Sequence, residues 1–164
     1  MTGDEPSTEM RDETPAERFD RNWNDVLQEL RVVQTGTQIL TGFLLALAFQ
    51  PTFVDLTRGQ KVFYLVLVVL AGLSAIIAFA PVALHRILFG EGAKGTIVAY
   101  GHVALVTALA VVSVLLVGVV GFVFDFMVST AVAAAVAACL AVIVLALWLV
   151  IPLVLKRRQV RLTW

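Results

Sequence analysis

Residues 17–49 read ERFDRNWNDVLQELRVVQTGTQILTGFLLALAF, and the stretch holds two kinds of helix in one line. In its first half Phe19, Trp23, Val26, Leu27, Leu30 and Val33 recur at three- and four-residue spacing, which places them on one helical face. Its second half is apolar nearly all round, yet it carries Gln34, Thr35, Thr37, Gln38 and Thr41. Lipid cannot hydrogen-bond those side chains, so protein or water must face them. Both ends of the helix are marked. Thr14 can cap it, Pro15 suits the first helical position, Glu17 completes a capping box, and Pro51 closes the far end.

Outward from this helix the chain is built for a membrane. Residues 62–84, 96–124 and 126–155 contain no Lys, Arg, Asp or Glu. Apolar runs of about eighteen residues or more are long enough to span a bilayer. A chain of 164 residues, 60% hydrophobic and 15% charged, cannot enclose several such helices in a soluble core. The expected fold is an all-α polytopic membrane protein, an antiparallel four-helix transmembrane bundle with an N-terminal amphipathic cytoplasmic helical extension. Its spans fall at about residues 32–50, 62–84, 96–122 and 128–155. Residues 1–14, acidic and with little to bury, read as a disordered tail, residues 15–155 as the membrane domain, and residues 156–164 as a basic cytoplasmic tail. Between the spans, residues 51–60 read as a short loop, 85–92 as a glycine-punctuated connector and 122–126 as a tight aromatic turn. Ala131, Ala134, Ala138 and Ala141 form a small-residue stripe suited to helix packing in lipid, and Cys139 reads as a small buried packing residue.

A net charge of zero hides an asymmetry. Residues 1–31 hold nine of the twelve acids, while Lys156, Arg157, Arg158 and Arg161 crowd the last nine positions. With four spans the termini and the central connector share a side; together they carry ten Lys and Arg against Arg58 and Lys61 opposite. That imbalance places both termini in the cytoplasm of a cell membrane. The basic cluster is short and abuts a membrane helix, so no nucleic acid is expected as a partner. The expected partners are the lipid bilayer and either a second copy of the chain or a membrane protein.

Three groups of side chains are candidates for function. Arg31, Gln34, Gln38 and Thr41 share a face, as a polar lining for a solute or, more commonly, as interhelical contacts. Glu29 at the membrane edge and His102 inside the third span are the titratable candidates. Phe19, Trp23, Val26, Leu27 and Leu30 form an apolar face that a cytoplasmic partner could cover. His85 is the only other histidine and Cys139 the only cysteine, so neither a metal site nor a disulfide is expected. No phosphate loop, nucleophile elbow or cofactor-attachment motif is present, so no catalytic residue, cofactor or enzymatic activity is expected. No carboxylate lies well inside a span, whereas proton-coupled exchange of cations needs a buried acid.

Two runs, RNWNDVLQELRVVQTGTQIL at residues 21–40 and APVALHRILF at residues 80–89, resemble a family of small four-span integral membrane proteins of unknown function from high-GC Gram-positive bacteria. The resemblance covers the first two spans well and the last two in hydropathy. Some members carry automatic sodium:proton antiporter labels, which implies an ion or solute transporter using the polar face of the first helix. The residues themselves point first to a non-enzymatic scaffold or accessory subunit presenting its amphipathic helix.

Overall fold

A computed structural model describes residues 14–88 and 94–162. All of the expected acidic tail at residues 1–14 except Thr14, and residues 89–92 of the expected connector, lie outside them, while residues 85–87 of that connector continue the second helix. Helix α1 (Pro15–Leu47) starts on the capping box read from the sequence. The Thr14 hydroxyl accepts from the Glu17 N–H at 3.3 Å, and the Glu17 carboxylate accepts from the Thr14 N–H at 2.9 Å. At its other end helix geometry orphans four carbonyls. The tightened last turn satisfies those of Leu45, Ala46 and Leu47. The Leu44 carbonyl instead accepts from the Tyr64 hydroxyl at 2.7 Å, so a side chain of the next helix finishes the first.

A 3-10 turn (Pro51–Asp55) leads into α2 (Arg58–Ile87). The expected loop to residue 60 is therefore shorter, because Thr57 and Gln60 form a second capping box that starts the helix early. Helix α3 (Lys94–Met127) runs through the expected aromatic turn. No glycine or proline interrupts residues 122–127, and Phe122 is buried against Phe63 and Tyr64, so the helix continues. The chain reverses at Val128 and Ser129, whose side chain caps α4 (Thr130–Leu145). A π-turn (Ala146–Val150) joins α4 to α5 (Ile151–Leu162), so the basic residues from Lys156 onward extend a helix. Pro152 sits just beyond that wide turn; proline offers no N–H to the carbonyl four residues back and crowds it, and wider winding relieves both.

Contacts between helices fix their directions. Along α1 the residues Trp23, Thr37 and Leu44 meet His85, Ser74 and Tyr64 of α2, rising on one helix as they fall on the other. Helices α2 and α3 run antiparallel too, since Gly101 lies by Pro81 and Gly118 by Leu67. Helix α1 runs parallel to α3, with Phe19 beside Gly95 and Val26 beside Gly101. The first three helices pack mutually, and α4 packs on α3. Four helices are long and apolar enough to cross a bilayer, which makes this a multi-pass membrane protein and a four-helix bundle. Its fourth span is peripheral: none of the most apolar stretch within Thr130–Arg158 is buried.

The core lies in two apolar layers. One gathers Leu44, Tyr64, Leu67, Leu115 and Phe122 at the hairpin end, and the other gathers Val26, Leu30, Ala78, Leu105 and Ala108 at the end holding Pro15. Between them lie the buried side chains of Thr37 and Ser74, with hydroxyls 3.4 Å apart. Two expectations about α4 change. Of its alanine stripe, Ala134 and Ala141 line a cavity while Ala131 and Ala138 point outward, and Ala133 makes the buried contact. Cys139 is exposed.

Candidate functional site

The Thr37–Ser74 pair gives a depth gauge. The charge-free part of α2, residues 62–84, is centred on Leu73, which puts Ser74 and its neighbour Thr37 near mid-span of that helix, while the charge-free part of α1, residues 32–54, is centred on Phe43. At 1.5 Å per residue α1 ends at Leu47, about 15 Å away, which is half the hydrocarbon thickness. Measured along α1 from Thr37, Gln38 lies within about 2 Å, Gln34 within about 5 Å and Arg31 about 9 Å toward the Pro15 end.

Adjacent polar residues on α1 turn different ways, because each residue advances the helix by about 100°. Thr37 points inward, 3% exposed, and donates to the Val33 carbonyl at 2.9 Å. Thr41 is half-buried and donates to the Thr37 carbonyl at 2.7 Å. Gln34 is half-buried, whereas Arg31 and Gln38 are exposed on the outer surface. Thr35 is exposed as well, but its hydroxyl is spent on the Arg31 carbonyl at 2.9 Å. The expected polar face thus splits: hydroxyls close onto their own helix, and the two amides are left over. Among the described residues neither Gln34 nor Gln38 has a side-chain hydrogen-bond partner. A buried, unpaired amide costs roughly 2–7 kcal/mol in an environment without hydrogen bonds. Lipid tails offer no hydrogen bond in its place.

The outer surface of α1 has two flanks. Val32, Ile39 and Phe43, between 58% and 74% exposed, form one that suits lipid tails. Arg31, Gln34 and Gln38 form the other, with Gly42 continuing it. The second flank is the candidate site, and what it can do is exchange hydrogen bonds with another protein surface inside the bilayer.

The apolar face read as a partner surface is largely used within the chain. Leu30 is 2% exposed and Val26 8%, Trp23 and Leu27 are half-buried, and only Phe19 counts as exposed at 38%. Glycines make the room. A Cβ on Gly101 would sit 2.9 Å from Val26 and 3.3 Å from the Trp23 ring, and one on Gly95 would sit 3.5 Å from Phe19. The Trp23 indole also stacks on the His85 ring with centroids 5.1 Å apart and planes 9° from parallel. Glycine positions in α3 were the signal for this docking, but one sequence does not show which helix faces them.

Glu29 and His102 are both exposed on the outer surface, on different helices. The structure does not bring them together. Among the described residues no cluster of three or more His, Cys, Asp or Glu could hold a metal. A cavity of about 730 Å³ lies between α2, α3 and α4, walled by apolar residues such as Phe63, Leu67, Val117 and Ala137. Its polar end is a fixed knot: the Asp125 carboxylate accepts from Gln60 at 2.8 Å and from Thr130 at 2.6 Å. Such a space suits hydrocarbon better than a hydrated ion.

A family model described as a family of unknown function, DUF6328, matches residues 12–152. The chain belongs to DUF6328. The DUF6328 match takes in all of α1, both of its flanks, and the helices up to Pro152. No curated protein and no solved structure matches the chain.

Proposed function

We propose that this protein is a non-enzymatic scaffold or accessory subunit of the plasma membrane that holds a protein partner through the Arg31–Gln34–Gln38 flank of α1. The observation that carries this is the Gln38 amide, exposed and without a hydrogen-bond partner among the described residues, inside the charge-free part of α1. A lipid-facing helix has no use for that side chain, and a protein-facing one does. The ten-to-two distribution of Lys and Arg supports both termini lying in the cytoplasm.

An ion-exchanger reading would need a titratable group reached from both sides. The buried hydroxyls of Thr37, Ser74 and Tyr64 all hold hydrogen-bond partners inside the bundle, and Glu29 and His102 are exposed on its outer surface. Purified protein in sealed vesicles containing a pH dye, challenged with sodium or potassium gradients, tests this. The expected result is no cation-dependent proton flux beyond that of protein-free vesicles. Flux that disappeared in Glu29→Gln or His102→Ala would overturn the scaffold reading.

A further inference from the structure

Resting on that reading, we infer that the partner of the α1 flank is a second copy of this chain, paired helix to helix about a two-fold axis along the bilayer normal. The carboxamide of Gln38 holds one donor group and one acceptor group side by side. It is best answered by another carboxamide at the same depth, with each Nε2–H donating to the other's Oε1. Copies inserted in one orientation meet that condition without adjustment, because Gln38 then lies at the same depth in both. A two-fold contact is also self-complementary, so one flank serves both partners.

The neighbouring positions permit the approach. Gly42, one turn beyond Gln38, has nothing within 4 Å of where a Cβ would stand, so no packing inside the chain accounts for a glycine there. Glycine on such a face lets two helix backbones come close. Gln34, one turn the other way, is half-buried at the edge of the contact, and Arg31 is near enough to the aqueous boundary for its long side chain to reach water. The opposite flank of Val32, Ile39 and Phe43 stays on lipid. Helices α2 and α3 cover the inner side of α1, which leaves this flank for an outside partner.

The experiment places a photo-crosslinking amino acid at Leu45, which lies two turns beyond Gln38 on the same flank and is 50% exposed, and as a control at Ile39, 58% exposed. The full chain is irradiated in its native membrane and the adducts are identified by mass. The inference expects a doubled-mass adduct from position 45, at least tenfold weaker from position 39, and at least tenfold weaker from position 45 when Gln38→Leu is added. Gln38→Asn, which keeps an amide, should retain more adduct than Gln38→Leu. Because Gln38 has no hydrogen-bond partner among the described residues, Gln38→Leu should leave the helical content and melting of the monomer unchanged. An adduct to a different polypeptide would overturn the second copy and leave the scaffold reading standing. Adducts to lipid alone would overturn both. A doubled-mass adduct undiminished by Gln38→Leu would remove the amide from the interface.

Discussion

Gly118→Leu should cost at least the ~1–3 kcal/mol typical of overpacking, seen as a lower melting temperature and broadened unfolding in detergent. A Cβ at Gly118 would lie 2.6 Å from the Leu67 side chain, closer than real atoms approach. Leu67 is 1% exposed, so it has nowhere to retreat except into α2 itself or the adjoining cavity. A glycine is otherwise a poor residue mid-helix, by about 0.5–1 kcal/mol against alanine, and here the close approach of α2 and α3 explains it. Gly36→Leu is the comparison. Nothing lies within 4 Å of its Cβ position, so the same substitution there should be neutral or slightly stabilising. Equal losses at both positions would show that the helix packing is misassigned.

The second large effect is Leu30→Ala, with an expected loss of about 2–3 kcal/mol. Lipid tails are as apolar as leucine, so the transfer part of the usual ~2–5 kcal/mol partly cancels and lost packing makes up most of it. Leu30 sits with Val26, Val33, Ala78, Leu105 and Ala108 in the layer nearer Pro15. Val32→Ala, next but one along the chain and 74% exposed, should change stability by less than about 0.5 kcal/mol. This pair separates two uses of the amphipathic face. If Leu30 served a partner instead of its own bundle, Leu30→Ala would weaken association and leave the melting temperature of the isolated protein alone.

The spans and the caps were legible because they depend on neighbours in sequence. Thr14 and Glu17 announce the start of α1, and Thr57 and Gln60 announce α2 at the same spacing, although the charged, polar stretch around Arg58 reads first as loop. The end of α3 was less legible, since the aromatic cluster with one acid at residues 122–126 reads as a turn until Phe122 is seen packed on Tyr64 within a continuing helix. Helix faces were the hardest part. Thr37 and Gln38 are adjacent polar residues in an apolar helix, and hydropathy gives no direction when both sides of the helix are apolar. Only the Ser74 hydroxyl across the bundle tells which of the two is inside. The amphipathic pattern of residues 19–33 showed that a face is buried, while its cover, Gly95, Gly101 and His85, lies some sixty or more residues away along the chain.

The central claim is that one outer flank of α1 faces protein inside the bilayer and the other faces lipid. Spin labels placed singly at Leu45, Ile39 and Phe43, with Gln38 intact and Cys139→Ser to remove the native thiol, measure this through collision with oxygen, which concentrates in hydrocarbon. The account predicts low oxygen access at 45 and high access at 39 and 43, in lipid bilayers at native density. Oxygen access at 45 as high as at 39 would contradict it, because the amide flank would then be bathed in lipid.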